Sequence, residues 1–437
     1  MNNPRLLTGL LAAALLSGGA EACAQSVVTL QEIFEAAEAH SKQLQPSFTA
    51  VEEAQHAESV ARARRLPDIQ ASLSASYIGD GFTTKRDLSD YQKAPIPHLG
   101  TGLSLSLTQP LYTGGAVAGS IALAGLEADA ARHSADLSRA GLRFRLTGFY
   151  LDLYKHANLR QVVESNLDAA RKVLAQMRAR HEQGTVLPND ITRYELLASD
   201  LELQLVRIDN TLGILNEQLV TTAGLPEGTA VMPDSTLLVR ALPTEDGQWW
   251  QQEALSHAPT LGLARTGVDI SRKAEKLARA ERLPRVGLQA GWTIDGPILV
   301  EVPPIDRNLS YWYVGVGVSY NIGSLYKTNR TLARTRTATL RARQELEATH
   351  EQLRLAVSAD HVRYLEAYEE LKTRQKGAEL AARNYHTVST RYAAGMALIT
   401  DLLDAANARL AADEQLVNAR IGILYQYYKL LFTTGKI

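Results

Sequence analysis

Two stretches decide how this chain is read: RHEQGTVLPNDITRYELLAS, Arg180–Ser199, and RYAAGMALITDLLDAANARL, Arg391–Leu410. Each opens on an arginine, sets a glycine four residues on and an aspartate six beyond that. Arg180, Gly184 and Asp190 answer to Arg391, Gly395 and Asp401 at a constant offset of 211 residues. A self-similarity of that length means that one structural unit is built twice. Glycine just past a helical pattern ends a helix, and an aspartate in the first turn of the next faces the positive end of its dipole. Each stretch therefore reads as a break between two successive helices.

The same duplication continues in both directions. Upstream, ARARRLPDI at Ala61 is matched by ARAERLPRV at Ala278, and downstream TAG ending at Gly224 is matched by TTG ending at Gly435. After the first RLP the period changes from helical to strictly alternating. In DIQASLSASY, Ile69, Ala71, Leu73, Ala75 and Tyr77 fall on one face and Gln70, Ser72, Ser74 and Ser76 on the other, which is a strand with one apolar and one polar side. A polar loop leads to a second such strand, GLSLSLTQ, making a hairpin over about residues 68–109. After the second RLP, Val286, Leu288, Ala290, Trp292 and Ile294 alternate with Gly287, Gln289, Gly291, Thr293 and Asp295. A fourth strand carries Trp312, Val314, Val316, Val318 and Tyr320, giving a hairpin over about 285–321.

Each hairpin precedes a very long proline-free stretch, about Val117 to His181 and about Asn329 to Tyr392. At 1.5 Å per residue, roughly 65 helical residues reach on the order of 100 Å, beyond the range of globular helices and suited to a coiled coil or tube. Shorter helices follow each turn, the first over about Asp190 to Ala223. The organisation expected is residues 25–224 as one repeat of helix, β-hairpin, long helix and short helix, 225–248 as a connector, and 249–437 as the second repeat. Pro46 and Pro259 break the opening helix of each.

The first residues read as an export signal: Arg5, the short apolar run LLTGLLAAALL, then Ala22 and Ala24 at the −3 and −1 positions of a cleavage site before Gln25. Removal of residues 1–24 takes away Cys23, the single cysteine, and with it disulfide and thiol chemistry. Acylation of Cys23 in a lipoprotein is the alternative. No later run reaches the ~18 apolar residues of a spanning helix. The formal charge of −1 gives no general case for nucleic acid or an anionic membrane surface.

Strands with one apolar face suit a sandwich core or a lipid-facing barrel wall. Four strands flanked by helices too long to fold back as a cover favour the wall. Four cannot close a barrel, which needs about eight, and open edges are not tolerated in hydrocarbon. The chain must then oligomerise, as two, three or four copies. Trp292, Tyr311, Trp312 and Tyr313 are candidates for interfacial aromatic girdles. No HExxH, nucleophile elbow, phosphate loop or dinucleotide fingerprint occurs, and the ten histidines are scattered, so no enzymatic or metal chemistry and no cofactor is expected.

In the order and spacing of the G-x5-D turns, the LSLTQPLYTGG strand-to-helix junction and the duplicated RLP, the chain resembles the TolC-like outer-membrane efflux channels over essentially its whole mature length. The second junction, SYNIGSLYKTNR, departs from the first and leaves the start of the second long helix open. The resemblance implies an α+β membrane protein: a homotrimer with one twelve-stranded outer-membrane barrel continued by a periplasmic helical tunnel. It implies passive export in partnership with a periplasmic adaptor and an inner-membrane transporter. It also implies roles for residues at the turns. Gly184, Gly395, Arg180 and Arg391 mark the hairpin tips where an adaptor docks, although glycine also simply ends a helix there.

Asp401 and Asp404 lie three apart on one helical face; by the same resemblance they would form a constricting carboxylate ring, with helix capping as the competing account. Repeat one has Arg193 where repeat two has Asp404, an asymmetry that capping does not require. Asp190 and Tyr392 occupy the positions of a contact that holds the entrance closed, while Ala397 stands where the family places a second such residue, an arginine. Export of polypeptides by a type I secretion system, or a periplasmic coiled-coil scaffold, are the alternatives to small-solute export.

Overall fold

The computed structural model describes residues 26–234, 237, 242–243, 245–301 and 303–437. The expected signal, with Cys23 and Gln25, lies outside them. In chain order the first repeat holds β1 (Ser26–Val28), α1 (Leu30–His40), α2 (Gln45–Ala63), β2 (Asp68–Tyr77), β3 (Gly81–Thr83), β4 (Gln92–Ala94), β5 (Leu99–Tyr112), α3 (Ala116–Glu182) and α4 (Pro188–Ala223). After β6 (Val231–Pro233), the second holds α5 (Gly247–His257), α6 (Pro259–Ala280), β7 (Arg285–Gly296), β8 (Leu309–Ser319), α7 (Ser324–Ala393) and α8 (Ile399–Thr434). The long helices α3 and α7 run for 67 and 70 residues. Helix α7 begins at Ser324, five residues before the expected start. Asn321, not a glycine turn, launches it: its carbonyl accepts from the Ser324 hydroxyl at 2.6 Å and from the Ser324 amide at 3.0 Å.

The chain forms two compact units. One comprises residues up to Ser41, Arg145–Ala241 and Glu369–Tyr425; the other comprises Lys42–Phe144, Leu242–Tyr368 and Gln426–Ile437.

In the second unit the four long strands make one antiparallel sheet in the order β2-β5-β7-β8. Its register runs the apolar residues into continuous rows. Ile69, Leu107, Ala290 and Val314 lie in one row, and Ala71, Leu105, Trp292 and Trp312 in the next. Ser72, Ser104 and Thr293 line up on the opposite face with Tyr311. Period two therefore separates the expected girdle. Trp292 and Trp312 share the apolar face, while Tyr311 and Tyr313 stand on the polar one, where a Cβ on Gly291 would meet the Tyr313 ring at 2.6 Å. Every residue of β2 is exposed, and Leu73, Trp312 and Val318 are exposed by 81%, 74% and 69%. Among the described residues the outer strands β2 and β8 have no further strand partner, and the apolar face of the sheet is uncovered.

Also in this unit, Trp250 is buried beneath the Trp249 and Tyr427 rings. The Tyr364 hydroxyl donates to the Pro243 carbonyl at 2.9 Å. Helix α8 ends in a Schellman motif at Gly435, with Lys436 N–H bonded to Leu431 O at 2.8 Å. A Cβ on Gly435 would sit 2.5 Å from the His257 carbonyl oxygen.

In the first unit β1 and β6 pair in parallel. The buried Tyr150 hydroxyl bridges this strap, donating to Val28 O at 2.9 Å and accepting from Asp234 N–H at 2.7 Å. Helix α4 ends at Gly224, whose Cβ would meet the His40 carbonyl at 2.8 Å, so the two repeats share this close approach as well. The core here is the apolar stripe of α3 (Val163, Leu167, Ala170, Leu174, Met177) packed on Tyr194, Ala198, Leu201 and Ile208 of α4. No helix among the described residues is long and apolar enough to cross a membrane.

Candidate functional site at the helical hairpin turns

The α3–α4 and α7–α8 turns are built alike because their sequences are. Gly184 and Gly395 take φ of +75° and +74°, a region that an L residue with a Cβ enters only at a cost. Around each, the backbone closes a Schellman motif. Gly184 N–H bonds to His181 O at 2.8 Å and Thr185 N–H to Arg180 O at 3.0 Å, and Gly395 and Met396 bond to Tyr392 O and Arg391 O at 3.0 and 2.8 Å. A Cβ on either glycine would meet nothing within 4 Å. Their requirement is for the left-handed backbone and not for close approach. The turns expose large apolar side chains, Leu187 by 67%, Met396 by 65% and Leu398 by 69%, while Val186, Ile399 and Leu402 plug the core beneath.

Arg180 does not reach outward. Its guanidinium donates to the Tyr392 and Ala393 carbonyls at 3.4 and 3.3 Å and lies 5.9 Å from the Tyr392 ring centroid. It thereby caps the negative C-terminal end of α7 from the other repeat. Arg391, its counterpart, is exposed. Burial pushes the Tyr392 phenol up, the Asp190 carboxylate adds to this and the Arg180 charge opposes it. Asp190, Tyr392 and Arg180 are thus brought together from the two repeats, although no hydrogen bond joins Asp190 to Tyr392 within one chain among the described residues. Tyr194, one turn after Asp190, is 1% exposed, and burial raises its phenol, followed by the neighbouring Tyr385. Val173, Met177, Arg180, Tyr385, Tyr392 and Leu402 line a cleft of about 370 Å³. Only the helical spacing of Tyr194 with Ile191 and Ala198 hinted at its place in that core.

Asp401 and Asp404 are both exposed on the first turns of α8. The Asp401 carboxylate accepts from the Leu398 amide at 3.0 Å, the reciprocal bond of a capping box. Asp190 makes no equivalent bond among the described residues. Asp404 and Arg193 point to solvent at matching positions of the two repeats, with opposite charge. No group of histidine, cysteine, aspartate or glutamate side chains among the described residues is placed to hold a metal.

The family model described as outer membrane efflux protein matches residues 33–224 and 250–435, both repeats almost entirely. The chain is an outer membrane efflux protein. The pyoverdine export outer membrane protein OpmQ of Pseudomonas aeruginosa is 24% identical to this efflux protein over 422 residues, covering 90% of this chain and 82% of the relative. The outer membrane efflux protein BepC of Brucella suis is 24% identical over 381 residues, covering 85% and 80%. Among solved structures, the outer membrane protein VceC of Vibrio cholerae superposes with a TM-score of 0.78 at 17% identity, covering 93% of this efflux protein and 96% of VceC. CusC superposes at 0.74 and 13% identity, over 93% and 92% of the two chains. The fold is the TolC-like one, with long helices and strands repeated twice, and the protein is a non-enzymatic efflux channel of the outer membrane.

Proposed function

We propose that three copies of the mature chain, freed of residues 1–24, pool their four-stranded sheets into one twelve-stranded barrel and conduct small solutes passively outward. An inner-membrane transporter supplies the energy, and a periplasmic adaptor engages the helical turns. Supporting this reading above all is the sheet itself, with an uncovered apolar face and two open edges, a combination that hydrocarbon accepts only in a closed barrel. Residues 25–224 and 249–437 act as the two repeats, joined by the connector 225–248. Gly184 and Gly395 shape the tips on which the adaptor sits, with Leu187, Met396 and Leu398 as the exposed apolar contacts. Arg180 and Arg391 frame those tips, Arg180 from within.

In the assembled channel Asp401 and Asp404 ring the entrance and favour cations, while Asp190 and Tyr392 close it through contacts between neighbouring hairpins. Cysteines introduced in pairs, one on β2 and one on β8 of the otherwise cysteine-free mature protein, test the assembly. A pair that crosslinks between chains fixes the register of the shared wall, whereas failure at every β2–β8 pair refutes it. Purified protein in planar bilayers gives cation-selective pores on this account.

A further inference from the structure

The polar face of the sheet ends, at the helix side, in a cleft of about 480 Å³. Three arginines from three separate elements line it: Arg64 just after α2, Arg285 at the start of β7 and Arg334 on α7. Glu281 is the single carboxylate among its lining residues. Arg285 belongs to the same alternation as Gln289 and Thr293, so it stands on the polar side of the sheet, the side carrying the serine rows.

Other guanidiniums nearby are already engaged. Arg279 and Arg336 share Glu275 at 2.6 and 3.4 Å, Arg62 pairs with Glu58 at 2.6 Å, and Arg282 bonds to Asn329. Arg64, Arg285 and Arg334 have neither an ion pair nor a side-chain hydrogen bond among the described residues. Three permanently charged, fork-shaped donors lining one open cleft, with one acid in the same lining, make a site for a multivalent anion. The polar face carries a carboxylate at each end, Asp68 where β2 leaves the helices and Asp295, bonded to Thr293 at 2.9 Å, at the far end.

We infer that this cleft is an anion-binding station for solutes bearing two or more carboxylate or phosphate groups. Resting on the channel reading, it would lie on the inner wall where barrel meets tunnel, one copy per chain. A carboxylate-rich solute that passes the acidic entrance would be held there by charge and by bidentate hydrogen bonds before it leaves through the barrel. Val117 and Leu277 in the same lining give the bound molecule an apolar shoulder, so an amphiphilic anion fits better than a bare inorganic one.

The test uses the full-length purified protein in detergent, with citrate as the probe and an arginine-selective dicarbonyl reagent read by peptide mass spectrometry. Citrate is expected to slow modification of Arg64, Arg285 and Arg334 together by about fivefold or more, as bidentate pairing to guanidinium implies, while exposed Arg391 reacts unchanged. Protection should weaken as salt is raised from about 0.01 M to about 1 M. Arg334→Gln should remove the protection at Arg64 and Arg285. Equal rates at all four arginines with and without citrate, or protection that survives Arg334→Gln, overturns the site. This readout needs no conductance. A protein that forms no pore but shows the protection refutes the channel reading and keeps the anion site, and a cation-selective pore without protection does the reverse.

Discussion

Replacing one glycine at a turn tip and its motif-mate at a helix base separates two physical costs that the sequence cannot tell apart. Gly395 and Gly435 both close Schellman motifs, at φ of +74° and +78°, and alanine at either forces a Cβ into left-handed backbone at about 1 kcal/mol. At Gly395 nothing lies within 4 Å of that Cβ, so the conformational term is the whole effect and local opening rises about fivefold. At Gly435 the Cβ would stand 2.5 Å from the His257 carbonyl oxygen and 3.0 Å from the Ala258 Cα. Backbone cannot rotate aside as a side chain can, so a further ~1–3 kcal/mol of overpacking is added. Hydrogen exchange at the Met396 and Lys436 amides reports each motif directly, and thermal unfolding of the detergent-solubilised protein reports the whole. Gly395→Ala should speed exchange at Met396 by about fivefold and leave the melting temperature nearly unchanged, whereas Gly435→Ala should lower that temperature by several degrees. Equal losses from the two substitutions, or the larger loss at Gly395, would refute the reasoning.

Arg180→Ala should expose the Tyr392 and Ala393 carbonyls and loosen the end of α7 by about 1 kcal/mol, seen as faster exchange across 390–396 with little change elsewhere. Asp404→Ala should reduce cation selectivity in planar bilayers while leaving exchange at the Leu398 amide as it was; Asp401→Ala should change both, because its carboxylate also caps α8. The tie between Lys436 and Glu253, 2.6 Å long, holds the Glu253 carboxyl below its usual range. A depressed folded-state value means that this stabilisation is present above the ordinary carboxylate range and is lost as pH falls through the lower, folded value. Lys436→Met should therefore flatten the stability profile over that window, as followed by acid unfolding of the two proteins side by side.

The duplicated turns, the alternating strands and the long helices were legible in the sequence because each is a local rule: a glycine at C′, a period of two, a run without proline. The second junction was less so. SYNIGS lacks the glycine pair of PLYTGG, and a side-chain bond from Ser324 to Asn321 starts the helix instead. The three-residue strap of β1 and β6 joins chain segments about 200 residues apart through the Tyr150 hydroxyl, which no spacing announces. Tyr311 and Tyr313 adjoin Trp312 in the sequence, but strand register, which sends adjacent residues to opposite faces, parts them from the tryptophans. At the turns, the glycines and aspartates stood out, but the grip of Arg180 on the other repeat depends on long-range packing.

The open margins of the sheet have a genetic consequence. A wall completed only by neighbours belongs to no single chain, and on the three-copy reading a defective polypeptide that still offers sound margins is built into assemblies beside normal ones. Producing the altered and the ordinary gene product together in one cell should then silence most conduits instead of half. A lesion that ruins the margins themselves should be harmless in company, since its product never joins.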